Sequence, residues 1–146
     1  MAIAEWDNSQ GSNAESSNIA GTALNGLTNA TLSPILADID NATNDDLYVS
    51  FWLELGSITP TAGGSVTIRL VRKRGSTYED RTATIFSGEQ MVKPLTTATG
   101  VKAVSFNFLR LPGPYVFGVE LVNNSGVTLA SSANALYYQT HNEAVN

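Results

Sequence analysis

The sequence predicts an all-β chain: a single-domain antiparallel β-sandwich of jelly-roll-like fold over residues 19–146, preceded by an extended, flexible N-terminal arm over residues 1–18. Three observations predict it. Charged residues make up only 14% of the 146, while Ser, Thr, Asn and Gly are abundant, the composition of strands joined by short polar turns rather than of a helical bundle. Several short stretches alternate apolar and polar residues with period two, the signature of a half-buried strand. Clusters of Gly, Pro, Asn and Asp punctuate these stretches at short intervals.

Each element follows in turn. In residues 1–18 the large apolar groups are Ile3 and Trp6, set among Asn, Ser and Gly, so this segment reads as an arm that orders against a partner. Between residues 18 and 39 the apolar spacing is ambiguous. Gly21, Gly26 and Pro34 oppose a long helix there, which leaves one or two short strands. Residues 40–46 form a turn cluster. Residues 47–55 are the clearest strand, with Leu47, Val49, Phe51, Leu53 and Leu55 on one face and Tyr48, Ser50, Trp52 and Glu54 on the other.

After a break at residues 59–64, residues 65–73 place Val66, Ile68 and Leu70 opposite Thr67, Arg69 and Lys73. Residues 75–80 read as a loop. Residues 81–86 and 91–95 read as short strands. Residues 101–109 alternate with Val104, Phe106 and Phe108 together. A Pro112-Gly113-Pro114 corner then feeds a strand carrying Tyr115, Phe117, Val119 and Leu121 on one face, with Gly118 and Glu120 opposite, and an Asn123-Asn124-Ser125-Gly126 turn closes it. A last strand runs near residues 134–140. No helix longer than two turns is expected.

Charge and composition narrow the function. Residues 1–50 hold seven acids and no base, while residues 51–146 hold eight bases against six acids, within a net charge of −5. So acidic a chain lacks the basic footprint that nucleic acid requires. An acidic arm on a mildly basic body favours contact with a neighbouring subunit instead, the alternative being a solvated acidic tail. The absence of Cys excludes disulfides, thiolate nucleophiles and zinc–thiolate sites. The first residues lack the basic start and apolar run of a signal peptide, and no apolar run is long enough to span a bilayer, so the expectation is synthesis in a cytoplasm with no membrane partner.

Candidate chemistry is sparse. His141 is the only histidine, and its position near the C-terminus suggests a mobile tail; no Gly-x-Ser-x-Gly elbow accompanies it. The run from Asp38 to Asp46 invites a calcium reading, but a helix–loop–helix calcium loop counted from Asp38 would need an oxygen ligand, Gly and Glu where Ala42, Thr43 and Val49 stand. A hydrogen-bonded Asx-rich turn fits better. Glu54 and Glu120, with Trp52 nearby, are the pair that glycoside hydrolysis would use, whereas Trp52 and Tyr48 alone suit non-catalytic sugar binding. Arg69, Arg72, Lys73 and Arg74 gather half of all the bases at one strand end. They either guard an edge against aggregation or dock onto an acidic protein surface. Asn29, Asn41 and Asn123 match the glycosylation pattern. No catalytic residue, cofactor or metal ligand is expected, and the protein reads as non-enzymatic.

The order of Asp40-Asn41-Ala42-Thr43-Asn44, then Pro60-Thr61-Ala62-Gly63-Gly64-Ser65, then Gly75-Ser76-Thr77-Tyr78-Glu79-Asp80 resembles a group of small tailed-bacteriophage virion proteins. So does the C-terminal run from Leu111 through the Asn123–Gly126 turn to Glu143. The resemblance covers residues 38–145 and departs after Leu70, where a short basic segment stands in place of a longer neutral loop. It implies a β-sandwich component of the phage particle, a head decoration or cement protein bound to the major capsid protein on the capsid surface and self-associating as a dimer or trimer. A tail or neck component and a carbohydrate-binding module are the alternatives. The contact residues expected are Ile3, Trp6, Trp52, Arg69, Arg72, Lys73 and Arg74.

Overall fold

The computed structural model describes residues 4–7, 15–84, 86 and 88–145. Ten strands and one short helix are built from them: β1 (Ala4–Asp7), β2 (Thr31–Leu32), β3 (Ala37–Asp40), α1 (Asn41–Asn44), β4 (Tyr48–Ile58), β5 (Ser65–Arg74), β6 (Thr77–Tyr78), β7 (Glu89–Pro94), β8 (Gly100–Arg110), β9 (Val116–Asn124) and β10 (Ala135–Val145). They form two antiparallel sheets that curl into a half-barrel, so the all-β sandwich expected from the sequence is the fold. One sheet runs β1-β10-β4-β8. The other is centred on β9 and β5, with β2 and β3 sharing one flank and β6 and β7 the other.

The alternation in β4 sends Val49, Phe51, Leu53 and Leu55 inward, where they meet Phe106, Leu136, Ile68, Leu70, Phe117, Val119 and Leu121 in one continuous core. Removing this apolar surface from water is the main stabilising term. Leu47 does not join them; it precedes β4 and remains 46% exposed.

The flank of β2 and β3 is broken at Pro34, which has no N–H to donate to a ladder. Ser33 bridges the gap: its Oγ accepts from Leu121 N at 2.9 Å and donates to Pro34 O at 2.7 Å. The Asx-rich turn expected at residues 40–46 is present. Asp40 caps α1 through Ala42 N, and buried Asn41 ties Asp46 N, Asp46 O and Gly113 O together, anchoring the Pro112–Pro114 corner. The turn after β9 is built the same way: Asn123, fully buried, donates to the carbonyls of Leu27 and Val127 and accepts from Ser125 N. At Gly126 the backbone is left-handed (φ +85°) and a Cβ would lie 1.8 Å from Thr61 Oγ1, so only glycine fits. Burial of Asn41 and Asn123 removes both from consideration as glycosylation acceptors.

Other expectations are corrected. Residues 81–86 carry no strand among the described positions, and β5 is flanked there by β6 and β7 instead. Phe108 does not share a face with Phe106. Between the pairs Phe51–Phe106 and Val49–Leu109, β8 holds one residue more than β4, a bulge that resets the alternation; Leu109 turns inward and Phe108 stays 49% exposed. Over its described parts the N-terminal segment runs beside β10. β1 pairs with residues 142–145 of β10, and further on Ser16 N and Ile19 N donate to Tyr138 O and Leu136 O, so residues 16–19 line the same strand. His141, expected on a mobile tail, lies within β10 opposite Tyr48.

Candidate surface sites

Two surfaces carry the residues singled out by the sequence. The first is the outer face of β10-β4-β8. Strand register sets Tyr137, Trp52 and Ser105 in one row across the three strands, and Gln139 beside Ser50 in the next. Trp52 is 42% exposed, and its indole Nε1 donates to Glu54 Oε1 at 3.1 Å, which fixes the ring along the strand. A shallow groove of about 180 Å3 opens beside it, with Glu15, Ser105, Asn107, Tyr137 and Gln139 among its walls.

One row further along, the Phe108 bulge forms an aromatic cluster. The Tyr48 and His141 rings stack at 5.8 Å, and Phe108 meets His141 edge-on at 5.2 Å. Phe108 sits at φ +58°, a left-handed conformation that costs a Phe about 1–2 kcal/mol. Ser50 holds it there: its Oγ accepts from Phe108 N at 3.1 Å and lies 3.0 Å from His141 Nε2. Ser50 thus lies mid-strand and braces a bulge, not on the strand–turn–helix elbow that presents a nucleophile.

Burial lowers the His141 pKa from its usual 6.5, partly offset by the field of Asp46. Below about pH 6.5 the unfolded chain therefore binds the proton more readily than the folded one, and stability falls as pH drops through that value. His141→Asn is expected to flatten the slope of unfolding free energy between pH 7 and pH 5.5, as read by urea denaturation at a series of pH values; an unchanged slope would assign it to other groups.

The second surface is the far end of β5. Arg72 lies over the Tyr115 ring at 3.7 Å, a cation–π contact, and both are exposed. Arg74 is exposed beside them, and an open hollow of about 660 Å3 is bounded by Arg72, Arg74, Thr77, Tyr78 and Glu79. Lys73 is committed elsewhere, with its Nζ 2.6 Å from Asp38 Oδ2, while Tyr78 OH donates to Asp38 Oδ1 at 2.6 Å. Burial would raise the Asp38 pKa, but these two donors outweigh it and the carboxyl is held below its usual range.

Arg69 leaves this group altogether. It is 5% exposed on the outer face of β5, directly opposite Glu120 on β9, and residues 81–83 lie against both. Its guanidinium lies 3.8 Å from Glu120 Oε1 and donates to the carbonyls of Thr82 and Ala83. Arg81 completes the cluster, with Nε 2.5 Å from Glu120 Oε2. Burial pushes the Glu120 carboxyl above its usual range, and the two guanidiniums offset only part of that rise. Gly118 permits the cover, because a Cβ there would meet Tyr78 at 2.7 Å and Ile35 at 3.1 Å. The pairing of Glu54 with Glu120 for glycoside hydrolysis is overturned, since Glu54 is exposed on one sheet and Glu120 is buried on the other.

Ile3 lies outside the described residues, as does the side chain of Trp6, whose backbone pairs with Glu143 in β1. Among the described residues no group of three or more Asp, Glu or His side chains is placed to hold a metal ion. Sequence reading missed the Tyr115–Arg72 contact and the Phe108 cluster. The first joins residues 43 positions apart, and the second depends on a bulge that has no local signal.

No protein family and no curated protein matches the sequence. Among solved structures, the chain is similar to TmCBM61 in complex with β-1,4-galactotriose, at 5% identity over 99% of this chain and 88% of that one, with a TM-score of 0.31. It is also similar to a family 16 carbohydrate-binding module, at 16% identity over 95% and 89% with a TM-score of 0.25, and to murine APRIL, at 13% identity over 65% and 66% with a TM-score of 0.26. Scores this low carry no argument about shared function.

Proposed function

We propose that this chain is a non-enzymatic structural protein of a tailed-phage virion, a decoration or cement protein that binds the outside of the mature head and stabilises it. The order of turn segments supports the reading, from Asp40–Asn44 through the Asn123–Gly126 reversal. The observation that carries it is the exposed pairing of Arg72 with Tyr115 beside Arg74. An aromatic ring stiffening a guanidinium, with a second charge next to it, is the kind of anchor that dominates protein interfaces. The partner is the major capsid protein, met through an acidic patch, and the chain self-associates as a dimer or trimer. Synthesis takes place in the host cytoplasm and the protein resides on the capsid surface. Binding the expanded shell and not its precursor shifts that equilibrium by mass action.

The test is quantitative mass spectrometry of purified particles. Hundreds of copies per particle are expected; a dozen or fewer would move the protein to the tail or neck, and none would refute a virion role. Arg72→Glu with Arg74→Glu is expected to cut occupancy on capsids at least tenfold, equivalent to about 1.4 kcal/mol, with the folded state unchanged by circular dichroism. Undiminished occupancy would exclude this surface.

A second reading, favoured by the exposed Trp52 ring and the polar groove beside it, is a carbohydrate-binding module that engages glycans through the outer face of β10-β4-β8.

A further inference from the structure

We infer that the groove beside Trp52 selects neutral pyranose units and rejects acidic sugars. This rests on the carbohydrate-binding reading of that face. A sugar ring presents one apolar face of C–H groups and a rim of hydroxyls, and it needs an aromatic plane with polar groups around it. Trp52 supplies the plane, held in orientation by Glu54. Tyr137 and Ser105 flank it in the same row, and Asn107 borders the groove with an amide that both donates and accepts.

The Asn107 and Tyr137 side chains make no hydrogen bond with other described residues and are available to a ligand. The electrostatics then set the selectivity. Glu15 lines the groove, Glu54 stands at the indole edge, and no basic side chain is among the lining residues. A uronic or sialic carboxylate would enter a site holding two like charges and no counter-ion.

The test uses the full chain and follows the Trp52 indole N–H resonance by NMR, assigned by comparison with Trp52→Ala. Neutral trisaccharides of glucose, galactose and mannose are titrated in parallel with trigalacturonate and sialyllactose. At least one neutral trisaccharide is expected to shift the resonance saturably in the millimolar range, and neither acidic sugar should. Glu54→Gln should narrow the gap between the two classes about tenfold. Equal or tighter binding of an acidic sugar would overturn the selectivity while leaving sugar binding intact. No shift with any sugar would overturn both, without touching the virion assignment, which is read from particles. Should Trp52→Ala lower capsid occupancy with no sugar bound, the face is a protein interface instead.

Discussion

Replacing Glu120 with alanine is expected to cost about 3–5 kcal/mol, because it strands the Arg69 guanidinium in a site closed to water. Against a total stability of about 5–15 kcal/mol for a domain, this is enough to leave a large unfolded fraction at modest temperature. The loss arises from the geometry on both sides of the carboxylate: Arg69 is 5% exposed, and Arg81 contacts the other oxygen at 2.5 Å. Urea denaturation of the variant measures it. The double replacement Arg69→Met with Glu120→Leu removes both charges and should be less destabilised than Glu120→Ala alone. It also removes the donors to Thr82 and Ala83, so limited proteolysis should cut within residues 79–84 faster than in the parent. A loss below about 1 kcal/mol for Glu120→Ala would mean that water solvates Arg69 and that the cover over β5 is looser than the structure shows.

The second large effect is expected at Phe106. Its ring is fully buried opposite Phe51, one step from the bulge where β8 changes face. Phe106→Ala removes the ring and leaves a cavity between the sheets, with an expected loss of about 3–5 kcal/mol. Phe106→Leu, which keeps most of the volume, should cost far less. Thermal unfolding of both variants separates the two terms. Equal losses would point to backbone rearrangement at the bulge rather than to lost packing.

The framework was legible where one residue pattern had one physical solution. The alternation from Val49 to Leu55 sends one face of β4 into the core, as read, and Val66, Ile68 and Leu70 point into it as read, although Thr67, Arg69 and Val71 on the other face of β5 are buried too. The Asx turn at Asp40 and the reversal at Asn123 were legible because their side chains bond their own neighbourhood. Contacts made by chain from elsewhere were not. Arg69 and Glu120 read as solvent-facing because polarity usually marks the outer face; nothing local announces that residues 81–83 will cover them. A clue did exist, in that Arg69 and Glu120 each sit mid-strand between apolar neighbours, and the register makes them partners. The Phe108 bulge was hidden for a related reason, since its cause is Ser50 on the neighbouring strand. Of the candidate site, Trp52 and Arg72 were found as exposed groups, but their companions Tyr137 and Tyr115 became visible only through strand pairing.

The place of β10 beside β4 also bears on biosynthesis. Residues 48–54 of β4 pair with residues 135–141, so a ribosome must add some eighty residues before β4 gains this neighbour. Until then the nascent chain carries an open strand edge rich in Val, Phe and Leu, which is a template for pairing with other nascent chains on the same message. The four-stranded sheet consequently closes only once residues 135–141 have emerged. Translational stalling before residue 135 is expected to yield an aggregating fragment rather than a smaller domain.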